Sequence, residues 1–282
     1  MTINMVEVIT EKSENLQFYI QDSTNGFVIH DIQGLDPVKA EIVSSSFGSV
    51  DGTQHQSSRR GNRNIVLTLG YAPDFITTTV GSLRKILYSK LMPKSSVRLL
   101  FHMSDGTVPE ILGNIETLES PLFVEKPEAT ISIICFKSDF IDPVEVELNG
   151  FTGIDDPANY LEFEYLGTTN TGVRLILNID RTITEFTWRH YGSDNIINSI
   201  NFVGSEFDGT ELLSGDILEI STVEGSKGAW LTRGTSRYSV LYNISTESTY
   251  FQIVPGQNFM QVIAAGVGIP IIISYFTKYG GL

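Results

Sequence analysis

The sequence predicts a mainly β fold in two domains, strands with one helix in the first and an antiparallel sandwich in the second. Three observations predict it. Period-two alternation dominates the first half, clearest where Val97, Leu99, Phe101 and Met103 share one strand face against Arg98, Leu100 and His102. One segment there repeats as a helix does. The second half shows short apolar strands about every ten residues, separated by glycine and Asx turns, the punctuation of a sandwich.

Taken in order, further strands of the first half cover Ile65 to Leu69, Ile111 to Thr117 and Ala129 to Phe136. The helix is read from Val80, Leu83, Leu87 and Leu91, three or four apart, with Ile86 beside them. Threonines 77 to 79 supply its N-cap, Lys85 and Lys90 suit its C-terminal dipole, and Pro93 stops it. Asn149-Gly150, Gly153 and Asp155-Asp156-Pro157 form a cluster of turn formers, which sets the expected division at 1–147 and 148–282. Strands then follow at Leu161 to Leu166, Val173 to Ile179, Ile183 to Trp188, Ile217 to Ser221, Tyr238 to Asn243 and Phe251 to Val254. Val262 to Phe276 is apolar but broken by Gly266, Gly268 and Pro270. It falls short of the ~18 residues of a membrane span and reads as two buried strands around a turn.

Composition narrows the function classes. With 282 residues the chain is long enough for two cores. Its formal net charge is −14, divided equally at −7 on either side of the boundary, so neither half is the basic module that phosphate binding requires. A single cysteine excludes a disulfide framework and a multi-cysteine zinc site. The N-terminus has neither a basic n-region nor an apolar core, so no cleaved export signal is expected.

No constellation of reactive groups stands out. His30, His55, His102 and His190 are scattered singly, without the i,i+4 spacing of a helical metal site. Cys135 shares a face with Ile131 and Ile133, where a thiolate would be desolvated. Nucleophile-elbow, Walker and dinucleotide fingerprints are all missing. Glu162 and Glu164 stand on one strand face roughly 7 Å apart, a glycosidase-like separation that an ordinary solvated face also produces. No cofactor and no metal are expected.

Two features point to surfaces instead. Arg59, Arg60 and Arg63 are the densest basic cluster, in a polar, Gly-rich segment that is either a solvated loop or a contact with an acidic neighbouring copy. Trp188 reads as core. Trp230, with Arg233 nearby, is either packed or a platform for a sugar ring, the alternative in which the chain is a carbohydrate-binding module touching host-surface glycans.

A set of short elements runs in order along the chain: Ile32-Gln33-Gly34-Leu35-Asp36-Pro37, the turn Phe47-Gly48-Ser49-Val50-Asp51-Gly52, Arg63 leading into strand Ile65 to Leu69, and the helix before Pro93. In the second half they are Gly215-Asp216 leading into Ile217 to Ile220, and Pro255-Gly256-Gln257-Asn258. As an ordered set they resemble the elements of the distal tail proteins of long-tailed bacteriophages. The resemblance implies a barrel-like, ring-forming belt domain followed by a galectin-like sandwich. It implies a structural virion protein, a homohexameric ring at the distal end of the tail tube, assembled in the host cytoplasm. Its partners would be copies of itself, the tail tube and tail hub proteins, and receptor-binding or side-fibre proteins, with DNA only passing through the bore, not bound specifically, and no membrane contact. The ring-interface candidates are Arg59, Arg60, Arg63, Asp51 and Gly52. The galectin sugar-binding signature is not present in the sequence, so lectin activity is not implied.

Overall fold

The computed structural model describes residues 2–46, 48, 51–121, 124–156, 160–193, 196–204, 211–264 and 268–282. The chain divides into two compact units, Met1–Pro143 with Tyr279–Leu282, and Val144–Lys278. The division falls inside one long strand, and four residues near the C-terminus return to the first unit.

The first unit contains β1 (Ile3–Thr10), β2 (Asn15–Tyr19), β3 (Phe27–Gln33), β4 (Ala40–Ser46), β5 (Thr53–Arg60), β6 (Arg63–Tyr71), α1 (Val80–Lys90), β7 (Ser96–Met103), β8 (Glu110–Glu119), β9 (Glu128–Cys135) and the start of β10 (Phe140–Phe151). Seven strands close into a barrel in the order β8-β7-β1-β2-β3-β6-β9, with β9 pairing back to β8. Every described seam is antiparallel except β2 to β3, which is parallel and held at Tyr19 and Val28.

Alternation builds this barrel directly. Val6 and Val8, then Ile65, Leu67 and Leu69, then Val97, Leu99 and Phe101, then Ile131 and Ile133 point inward and are buried. Gly113 takes an inward position because a Cβ there would come within 2.6 Å of Ile133 and 2.8 Å of the Cys135 sulfur. Leu83 and Leu87 of α1, with Leu91, join the same core. The helix begins as the sequence predicts: the Thr79 hydroxyl accepts from the Ser82 amide in a capping box.

The second unit is an antiparallel sandwich. One sheet runs β17-β16-β15-β12-β19, continued by the rest of β10, and the other runs β11-β18-β13-β14. The strands are β11 (Leu161–Tyr165), β12 (Val173–Asn178), β13 (Glu185–Tyr191), β14 (Ile197–Val203), β15 (Ile217–Ser221), β16 (Gly228–Arg233), β17 (Ser236–Ser239), β18 (Gly256–Ala264) and β19 (Pro270–Tyr279). Leu175, Leu177, Leu218 and Ile220 share one buried cluster with Phe186, Trp188, Phe202 and Val262. The apolar stretch from Val262 enters as two strands, with Gly268 between them at a φ of +89°.

Three expected strands differ. Phe251 to Val254 forms no strand, only a bridge from Ile253 to Thr171, because the local chain turns into Gly256. Tyr238 to Asn243 splits into the end of β17 and a 3-10 turn, Leu241–Asn243. Ile183 bridges Leu212, and the strand that follows starts at Glu185 and runs on to Tyr191.

Candidate assembly interface

The basic segment is neither loop nor core. It forms a hairpin of β4 and β5 that pairs with no further strand among the described residues. All eight residues of β5 are exposed, and Ile42 and Val43 of β4 are 68% and 51% exposed. An isolated two-stranded ribbon is marginal in water, and both of its edges present unpaired backbone groups. Asp51 and Gly52 lie at its exposed end, Gly52 with a φ of +100°. Phe47, Ser49 and Val50 of the same turn lie outside the described residues, as does Pro157 of the turn cluster near the boundary.

The three arginines separate. Arg59 lies on the arm, pairing across the hairpin with Glu41 at 2.7 Å, the two residues being register partners. Arg60 sits at the arm's base and forks onto Asp139, with Nη2 donating to Oδ2 at 2.8 Å. Arg63 is 2% exposed and is no surface residue at all. Its Nε donates to the Ser138 carbonyl at 2.9 Å, Nη1 donates to the carbonyls of Gly34 and Asp36, and Nη2 to that of Gly280. The guanidinium lies 4.3 Å from the centre of the Phe140 ring. A planar five-donor fork is the side chain suited to gathering several carbonyls at once. Burial draws its pKa below the usual arginine value. The expectation that Arg63 meets solvent or another copy is therefore corrected: it is an internal clamp. Parity carried the signal, since Arg63 opens the inward series Ile65, Leu67, Leu69.

The turn motifs are structural in the same sense. Gly34 has a φ of +86°, and a Cβ there would stand 1.9 Å from the Asn64 carbonyl oxygen, so the turn that Arg63 grips admits only glycine. Gly215 has a φ of +92°, and the buried Asp216 carboxylate accepts from the Leu213 amide and from Arg233. The hydrogen bond from Arg233 holds its pKa below the usual carboxylate value. Asn258 closes the Pro255-Gly256 turn, donating to the Val254 and Gly256 carbonyls and pairing with His190 at 3.0 Å.

Compared with solved structures, the chain matches the SPP1 Dit protein, described as a paradigm of the hub adsorption apparatus in phages infecting Gram-positive bacteria. The match covers 97% of this chain and 98% of that one, with a TM-score of 0.64 at 14% identity. This chain has the fold of a phage distal tail protein. Weaker matches are to the phage P2 baseplate in its activated conformation, with Ca (TM-score 0.45, 10% identity, all of both chains) and with Sr (0.43, 10%, 97% and 98%). By sequence, no family model and no curated protein matches.

Within this distal-tail fold the remaining candidates lie apart. The Trp230 ring reaches over Gly228, where a Cβ would meet it at 2.7 Å, and the Arg237 guanidinium sits 5.1 Å from its centre. Arg237 in turn pairs with Glu219 at 2.7 Å, and Glu219 with Arg174 at 3.2 Å. The indole is thus engaged by its own sheet, an arrangement that suits packing better than stacking on a sugar. Glu162 and Glu164 are both exposed on β11, and Glu162 accepts from Gln257 at 2.6 Å. Burial pushes the Cys135 thiol up to about 12, which leaves it unreactive. Among the described residues no group of three or more His, Cys, Asp or Glu side chains is placed to hold a metal ion, and no helix is long and apolar enough to cross a membrane.

One exposed feature carries no sequence expectation. Phe75 and Ile76, 77% and 91% exposed, form the tip of the turn between β6 and α1. Two adjacent apolar residues between Pro73-Asp74 and a run of threonines are the only signal the sequence offers for it.

Proposed function

We propose that this chain is a structural, non-enzymatic component of a phage tail tip. Six copies form a ring at the distal end of the tail tube, stacked between the tube protein and the tail hub. The ring-forming belt is residues 1–147, and residues 148–282 present a platform for receptor-binding or side-fibre proteins. The observation that carries this reading is the whole-chain match to a hub protein's fold. The exposed β4–β5 arm, with Arg59, Arg60, Asp51 and Gly52, supports it, because a ribbon that pairs with no further strand among the described residues gains stability when a neighbour covers it. Repeated heterologous contacts between identical chains give a closed ring when the rotation closes. DNA passes through the bore without specific binding, in keeping with a chain of net charge −14.

Light scattering at rising concentration, with electron microscopy of the same sample, tests the proposal. Rings of six copies, alone or on addition of the tube protein, are the expected result. A particle that stays monomeric under both conditions overturns it.

A further inference from the structure

The barrel carries an apolar projection and an apolar hollow on different walls, and both are left exposed among the described residues. The projection is the Phe75–Ile76 tip. Asp74 builds it: Oδ1 accepts from the amides of Ile76, Thr77 and Thr78 at 3.0, 2.9 and 2.7 Å, and the Phe75 amide donates to the Thr78 carbonyl at 3.1 Å. Phe75 itself sits at a φ of +57°, a conformation that a bulky non-glycine residue rarely adopts. The turn thus spends backbone strain and a saturated carboxylate on holding two large apolar side chains out in water.

The hollow is a groove of ≈ 580 Å³ on the outer wall. Ile9, Arg98 and Leu112 are register partners in a row across β1, β7 and β8, and Phe136 adjoins them. Leu112 and Phe136 are 59% and 67% exposed. Arg98, which also pairs with Glu110 at 3.4 Å, and Lys137 outnumber Glu11 on its lining, so the lining's net charge is opposite in sign to Asp74 at the base of the tip. Barrel order then places the two features. From β6, which leads into the tip, to β7, at the centre of the groove, is three strands one way round the barrel and four the other. Projection and hollow therefore lie on opposite walls of one barrel, as a head-to-tail contact between identical copies demands.

We infer that the Phe75–Ile76 tip of each copy seats in the Ile9–Leu112–Phe136 groove of the next. This rests on the ring reading and names the contact within it. The occupant of the groove is a second copy of this chain.

Paired cysteines at Ile76 and Leu112 test it. The native Cys135 is buried and stays silent, and both substituted positions are exposed, so folding is checked by an unchanged melting temperature. Under mild oxidation the double variant should give a ladder of covalent oligomers on non-reducing gels, and each single variant at most a trace of dimer. F75S/I76S should lower the fraction of chain in rings at least tenfold, and Leu112→Asp should do the same from the other side. Rings that form normally in both of these variants, with no ladder from the cysteine pair, overturn the contact and leave the ring reading standing. A protein that never assembles overturns both.

Discussion

The β4–β5 arm and the β6 strand that follows it are adjacent in sequence and close in length, yet they differ in almost every physical respect. β5 is exposed at all eight positions, whereas β6 alternates and buries Arg63, Ile65, Leu67 and Leu69. Two arginines fall on the arm and one on the wall, within five residues. Arg59 gains one exposed ion pair, worth ~0–1 kcal/mol after screening. Arg63 gains four carbonyl partners away from water. A strand with a buried face assigns a basic residue to the fold or the surface by its parity, whereas a ribbon with no buried face leaves every basic residue on the surface.

Arg63→Met should have the largest effect. Stranding several carbonyls in a nearly dry site should cost about 3–5 kcal/mol of unfolding free energy, read by urea denaturation. A loss below about 1 kcal/mol would put Arg63 back with its neighbours. Gly34→Ala comes next, by more than about 2 kcal/mol, because the added Cβ overlaps a backbone oxygen that cannot swing aside. Its melting temperature against that of an alanine at the open Gly52 would separate the gripped turn from the arm's free end. The smallest effect on folding belongs to Arg59→Ser, within roughly 0.5 kcal/mol of the parent. If the proposed ring forms, its consequence should appear only in assembly, as a smaller ring fraction in sedimentation. An arm variant that unfolds the barrel would erase the distinction.

Much of the fold was legible in the sequence. Residues whose role is set by local period were read correctly: the α1 leucines, its threonine cap, and the barrel and sandwich strands with apolar alternation. The β4–β5 ribbon was not, because Thr53–Arg60 has no apolar side to alternate. Phe251 to Val254 misled in the opposite sense. Phe251 and Ile253 are buried, Phe251 by stacking on His190 and packing against Trp188, contacts distant in sequence whose alternation a strand reading mimics. The arginine cluster was visible as composition, but its division into arm, base and clamp depended on Asp139 and Gly280, partners 79 and 217 residues away. Phe75 and Ile76 went unread since exposure has no local signature. The turn glycines, in contrast, were informative as a set because each marks a backbone conformation that few other residues accept.

The Arg63 clamp also orders events in time. Between Arg63 and Gly280 the ribosome must synthesise the whole of the second unit, so the guanidinium waits on carbonyl Gly280 until the sandwich has been made. A nascent chain halted within the sandwich would therefore hold a barrel with one grip missing.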